Sequence, residues 1–150
     1  RINLGLFQPD VDVVWDLDRT PWPWDTDSVT SIYASHVLEH VVRFGAVWRE
    51  VHRVLVPGGV ISIRVPYGSR ALRDPYHLRG FYRGSIERLS HPEHTSHGPR
   101  IFERSGRVVV RRTGGFPWWH LENRLGIVVA PPWGDRELVF TLRKVDGGQA

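Results

Sequence analysis

A length of 150 residues suits one domain and leaves little room for two. The chain is 41% apolar and 24% charged, has no apolar run near the ~20 residues of a bilayer span, and shows no signal-peptide pattern, which excludes a disordered tail and a membrane protein. The absence of cysteine removes disulfides, thiolate zinc sites and cysteine nucleophiles together, and fits a reducing, cytoplasmic location. Methionine is absent as well, even at position 1, so the expectation is a fragment of a longer chain. Lys144 is the one lysine among 20 basic residues, and the net charge of +4 is modest. The arginines are scattered rather than clustered, so no nucleic-acid surface is indicated.

Taken in order, Val11 to Leu17 is rich in β-branched residues and predicts a buried strand. Pro21, Pro23, Asp25 and Asp27 force a loop, and Thr30 to Ser35 is a second strand. From Phe44, apolar residues fall at 44, 47, 48, 51, 54 and 55, the stripe of an amphipathic helix. Pro57-Gly58-Gly59 stops it, because proline cannot continue the hydrogen-bond ladder and glycine accepts a left-handed turn. Val60 to Val65 follows as a strand. Strand, helix, glycine turn, strand is the order of a parallel α/β sheet. Further on, a short helix is predicted over 84–90 and strands over Arg107 to Thr113 and Glu137 to Arg143, with a Trp- and Pro-rich stretch from Gly114 to Trp133 between the two strands.

Asp16-Leu17, the Pro-Trp-Pro-Trp loop, Asp27-Ser28-Val29, Tyr33-Ala34-Ser35-His36-Val37-Leu38-Glu39-His40 and Glu50-Val51-His52-Arg53-Val54-Leu55-Val56-Pro57-Gly58-Gly59 form an ordered string. Together with Asp74-Pro75-Tyr76-His77 and Phe81-Tyr82, that string resembles the C-terminal two-thirds of a class I S-adenosylmethionine-dependent methyltransferase of the type-11-like group. The resemblance runs from about residue 2 to 82, and more loosely to the end. It implies a Rossmann-like, mostly parallel α/β sheet forming a single domain over 1–150, incomplete at its N-terminus. It also implies S-adenosylmethionine as cofactor, with Asp16 accepting from the adenine amino group, Leu17 offering its backbone amide, and Ser35 and His36 lining the pocket under the methionine part. Strand ends of an open α/β sheet are where such ligands sit. Taken alone, Asp16 is as readily a plain strand-end turn residue.

The string departs from the family in two places. The first strand and its glycine-rich loop are missing, and Gly5 stands where the second strand should end in a ribose-binding acid. A lost central strand leaves its neighbours with unpaired backbone groups at ~1–3 kcal/mol each. The isolated chain is therefore expected to be marginally stable, or to pair with another copy as a homodimer.

Methyl transfer from a sulfonium is an in-line displacement in which positioning supplies much of the rate. His40, four residues after His36, is the preferred contact for the methyl acceptor, with Tyr67, Tyr76, His77 and Tyr82 shaping the same pocket. An ordinary helix-start histidine and ordinary loop packing are the alternatives. The acceptor, small molecule or macromolecule, is not written in the sequence, and no catalytic residue is assigned.

Two other readings compete. His36 to His40 fits H-x-x-E-H, the inverted zinc-peptidase pattern, with Glu50, His77 or Glu87 as a third ligand. It follows a strand rather than sitting inside a long helix, which argues against it, as does the ease with which three fixed positions arise by chance. His91, His94 and His97 are read as a solvated polar loop, and no metal is expected. The stronger competitor is a degenerate methyltransferase fold acting as a binding module, with its tryptophans presenting an apolar surface. Cofactor binding separates that module from an enzyme.

Overall fold

The computed structural model describes residues 4–5, 13–91, 100–113 and 135–145. Two short strands, β1 (Leu4–Gly5) and β2 (Val13–Val14), pair in parallel as a small sheet. The main sheet is built from β3 (Val29–Ser35), β4 (Leu55–Pro66), β5 (Phe102–Arg104), β6 (Val109–Thr113) and β7 (Asp135–Lys144). Its order is β3-β4-β7-β5, with β6 also pairing β7. The β3–β4 pair is parallel and is joined through helix α1 (Phe44–Val54), as the sequence order predicts. The sheet as a whole is mixed, because β7 runs antiparallel to β4, β5 and β6. Among the described residues β3 pairs with β4 alone and β1 with β2 alone, so neither sheet supplies a strand to the other.

The predicted helical stripe places Val47, Trp48, Val51 and Val54 in the core. Its last carbonyls do not wait for solvent: Asp27 N–H donates to Arg53 O and Ser28 N–H to Val54 O, each at 2.9 Å, which fixes the chain entering β3. β4 begins at Leu55, earlier than the predicted Val60, and absorbs the Pro-Gly-Gly segment as a register shift opposite Val29 to Ser31. Gly59 is required there, since a Cβ would lie 2.8 Å from Val56 O and 3.2 Å from Thr30 O. Of the strand predicted over 11–17, the described residues hold Val13–Val14, and it ends there because the chain turns after Trp15.

Ile61, Ile63 and Val65 of β4 and Leu138, Phe140 and Leu142 of β7 alternate inward and are buried, with Phe102 of β5 and the α1 stripe against them. Trp48 anchors this core: it stacks on Phe44, tilts against Phe102 at 5.2 Å, and donates its indole N–H to Leu89 O at 3.0 Å. Leu89 ends α2 (Arg83–Leu89), one residue off the helix predicted at 84–90. The lone lysine, Lys144, is buried between Asp27 (2.6 Å) and the carbonyl of Leu55 (2.7 Å), closing the sheet onto the start of β3. No helix among the described residues is long and apolar enough to cross a membrane. The Trp- and Pro-rich stretch 114–133 and the histidines at 94 and 97 lie outside the described residues.

Candidate functional site

The site is organised around the turn that follows β3. His36 takes a left-handed conformation (φ 51°), which breaks the strand, and residues 36–43 form a turn instead of the first part of a helix. The H-x-x-E-H pattern therefore does not place its two histidines on one helical face. His36 points to the sheet: its Nε2 lies 2.6 Å from Glu137 Oε1, while Arg64 Nε donates to Glu137 Oε2 at 2.7 Å. That bond to Glu137 raises the Arg64 pKa. Glu137 comes from β7 and is buried, so the network joins β3, β4 and β7 at one edge of the turn. Ser35, the last residue of β3, pairs opposite Arg64.

His40 points the other way. Its ring lies against that of His77, centroids 4.8 Å apart and nearly perpendicular, and its Nδ1 is 3.1 Å from Tyr76 O. His77 is held in turn by its Nδ1 at 2.7 Å from Ala71 O. Segment 74–79 is fastened across the turn by Leu78 N–H donating to Glu39 O (2.9 Å) and by Arg79 Nη1 donating to Leu38 O (2.7 Å). Arg79 also covers the Phe44 ring, and burial lowers its pKa. Tyr67 bridges to Phe81 and meets Tyr82 edge to face at 6.0 Å, while Tyr76 is exposed. Of the residues read as an acceptor pocket, His40, Tyr76 and His77 come together; Tyr67 and Tyr82 form a neighbouring pair.

Asp16 is exposed just after β2. Its Oδ1 accepts from Asp18 N–H at 2.9 Å and its carbonyl from Arg19 N–H at 3.0 Å, a tight turn that leaves Oδ2 without a partner among the described residues. Leu17 is half-buried, and its carbonyl accepts from the Trp22 indole at 3.0 Å. No hydrogen bond or ion pair joins Asp16 or Leu17 to Ser35 or His36 among the described residues. The link is Asp18, whose two carboxylate oxygens accept from Val42 N–H (2.9 Å) and Arg43 N–H (2.6 Å). One side chain thus ties the loop after β2 to the turn after β3. The same loop is clamped onto α1 from behind: Glu50 accepts from Trp22 N–H at 2.6 Å and pairs bidentately with Arg53 at 2.8 and 2.9 Å, and Arg53 donates to the carbonyls of Trp22 and Trp24. Its hydrogen bond to Arg53 holds the Glu50 carboxyl below the usual range.

Sequence reasoning missed Asp18, Arg64 and Glu137. Asp18 sits two residues past Asp16 in a loop rich in Pro and Asp, a composition that signals a turn but not its tether. The separation of 101 positions between His36 and Glu137 leaves no local pattern to read. The third ligands considered for a peptidase divide plainly: Glu50 serves Arg53 and Trp22, Glu87 pairs with Arg100, and only His77 reaches His40.

Residues 8–63 match the family model described as a methyltransferase domain. Solved structures share the fold. An S-adenosylmethionine-dependent methyltransferase from Mesorhizobium loti aligns over 95% of this chain and 79% of its own, with 16% identity and a TM-score of 0.58. A SAM-dependent methyltransferase from Archaeoglobus fulgidus aligns over 95% and 75%, with 11% identity and a TM-score of 0.58. The Burkholderia thailandensis 1,6-didemethyltoxoflavin-N1-methyltransferase, solved with bound 1,6-didemethyltoxoflavin and S-adenosylhomocysteine, aligns over 95% and 60%, with 17% identity and a TM-score of 0.58. No curated protein matches the chain.

Proposed function

We propose that this chain, whose fold is shared with solved methyltransferases and whose residues 8–63 match a methyltransferase-domain model, is a class I methyltransferase domain carrying the adenine side and the acceptor side of a site that transfers a methyl group from S-adenosylmethionine. The observation that carries the reading is the Asp18 tether, which holds the loop of Asp16 and Leu17 to the turn that begins at His36. Asp16 Oδ2, exposed and without a partner among the described residues, fits the acceptor for an adenine amino group, with the Leu17 amide beside it. Ser35 and His36 line the methionine part, His36 being held in place by Glu137. The ribose end fits less well, because Gly5 offers no carboxylate.

When bound, S-adenosylmethionine supplies an electrophilic methyl group on a sulfonium. The chain's own residues orient the partners. His40 and His77 face the acceptor, and Tyr76 O, which can only accept, fixes the proton of His40 on Nδ1 and leaves Nε2 free for the acceptor. Positioning of this kind supplies much of the rate of an in-line displacement.

Calorimetric titration with S-adenosylhomocysteine tests it, with Asp16→Ala in parallel and circular dichroism to establish that both chains are folded. Saturable binding that weakens at least ~10-fold in the variant is expected, since a hydrogen bond to a charged group contributes about 1.5–3 kcal/mol. A folded chain that gives no heat is the binding module without catalysis, and the proposal fails.

A further inference from the structure

We propose that Glu39, His40 and His77 form a binding site for a divalent first-row transition cation, zinc in particular. The donor atoms of these three residues lie within 4.8 Å of one another. Ligands at ~2.0–2.1 Å from a common ion stand roughly 3.3 Å apart in a tetrahedron, so side-chain adjustment of about an ångström or more closes the site.

The carboxylate of Glu39 is the second, independent observation. It is fully buried (0% exposed), and neither oxygen has a hydrogen-bond partner among the described residues. A buried carboxylate without partners is costly, and it is normally paired or bound to metal. The nearby cations do not discharge that role. His36 Nδ1 lies 3.3 Å from Oε1 without forming a hydrogen bond, and its shorter contact is to Glu137. Arg79 feels the Glu39 charge but spends its Nη1 on the Leu38 carbonyl.

The two imidazoles are already in the tautomer a metal needs. Both Nδ1 atoms face main-chain carbonyls, Tyr76 O and Ala71 O. A carbonyl cannot donate, so each Nδ1 carries a proton, and in the neutral ring each Nε2 then keeps its lone pair. That is the outer-shell arrangement that orients histidine ligands. Two imidazoles and one carboxylate suit zinc and its neighbours better than magnesium or calcium, which prefer all-oxygen sites. Asp74, with Oδ2 3.6 Å from His77 Nε2, stands within reach as a further oxygen. The site uses neither Asp16 nor Leu17, so it does not require that methyl transfer be right; if both hold, the ion meets the acceptor in place of a direct contact with His40 Nε2.

The test is zinc titration of the chelator-stripped, folded chain against a chromogenic competitor, with cobalt as a spectroscopic substitute. His40→Asn, His77→Gln, Glu39→Gln, His36→Asn and a double His94→Asn/His97→Asn variant are run beside it. One zinc per chain is expected, with affinity reduced on the order of 10-fold or more by His40→Asn and by His77→Gln. His36→Asn and the double variant should bind as the parent does. Should Glu39→Gln fail to fold, the two histidine variants still decide the matter, since His40 is exposed and His77 only part-buried. Absence of saturable zinc, retention of affinity in both His40→Asn and His77→Gln, or its loss in His36→Asn or the double variant overturns the proposal. Since titration with S-adenosylhomocysteine reads a different ligand, failure of either experiment leaves the other interpretable.

Discussion

Removing the Glu50 carboxylate by Glu50→Ala should cost this protein about 3 kcal/mol, and the structure says where it goes. The Trp22 amide loses an acceptor at 2.6 Å in a buried position, worth ~1–3 kcal/mol when left unpaired. Arg53 loses two bonds, at 2.8 and 2.9 Å, and keeps only the carbonyls of Trp22 and Trp24. Breaking a fully buried pair costs ~3–5 kcal/mol, but Arg53 is 28% exposed and water recovers part of that. For a chain of this length, ~2–4 °C per kcal/mol gives a fall in Tm of roughly 6–12 °C. The pH dependence carries the sharper signature. Glu50 has its pKa lowered from 4.5 in the folded state, so its stabilisation is complete above that value and is lost as pH falls through the lower, folded value. Urea unfolding followed by tryptophan fluorescence from pH 7 to pH 3 should show the parent losing stability below about pH 4.5 more steeply than Glu50→Ala. A destabilisation under ~1 kcal/mol at pH 7, or parallel acid limbs for the two proteins, refutes the assignment of this pair as the clamp of the loop after β2.

Two further outcomes follow from the same packing. Trp48→Ala should destabilise by about 3–5 kcal/mol, because it empties the space between Phe44 and Phe102 and strands the Leu89 carbonyl; denaturant midpoints at unchanged m-value measure it. His52 has its pKa lowered below 6.5, first by burial and then by the charge of Lys144, so the unfolded chain binds its proton more readily than the folded one. Stability should therefore fall as pH drops from 7.5 through 6.5 toward the folded value, and His52→Gln should flatten that part of the curve. An unchanged slope in the variant places the proton uptake elsewhere.

Local periodicity carried the elements that bury one face. The apolar spacing of α1 and the alternation of β4 and β7 read directly, because each element's packing partner is implied by its own pattern. The candidate site read only in part. The sequence places His40 four residues after His36 and His77 past the end of β4, and in the structure their rings meet. The turn that joins them was not foreseen, since it depends on the left-handed backbone at His36 and on amides at 42 and 43 capped by a carboxylate 24 and 25 residues away. Glu39 carries the same lesson: within H-x-x-E-H it is the acid that would activate water, yet in the structure it is fully buried, with Leu78 N–H bonded to its carbonyl and Arg79 to the carbonyl of Leu38 beside it. Burial of that kind is a tertiary property with no sequence period of its own.

The place of β7 has a consequence for how the molecule comes into being. β7 pairs with β4, β5 and β6 alike, and opposite β4 it joins residues as far apart as Val60 and Arg143. Pairings that distant are slow to form, because a long loop must close before any contact rewards it. On the ribosome, β3, α1 and β4 emerge with the β7 side of β4 unpaired until residues 135–144, its antiparallel partner among the described residues, arrive. At ~5–20 residues per second that interval lasts several seconds. The nascent chain therefore spends that time with the strand at the centre of its future sheet open on one side, and any cut that removes β7 makes the condition permanent.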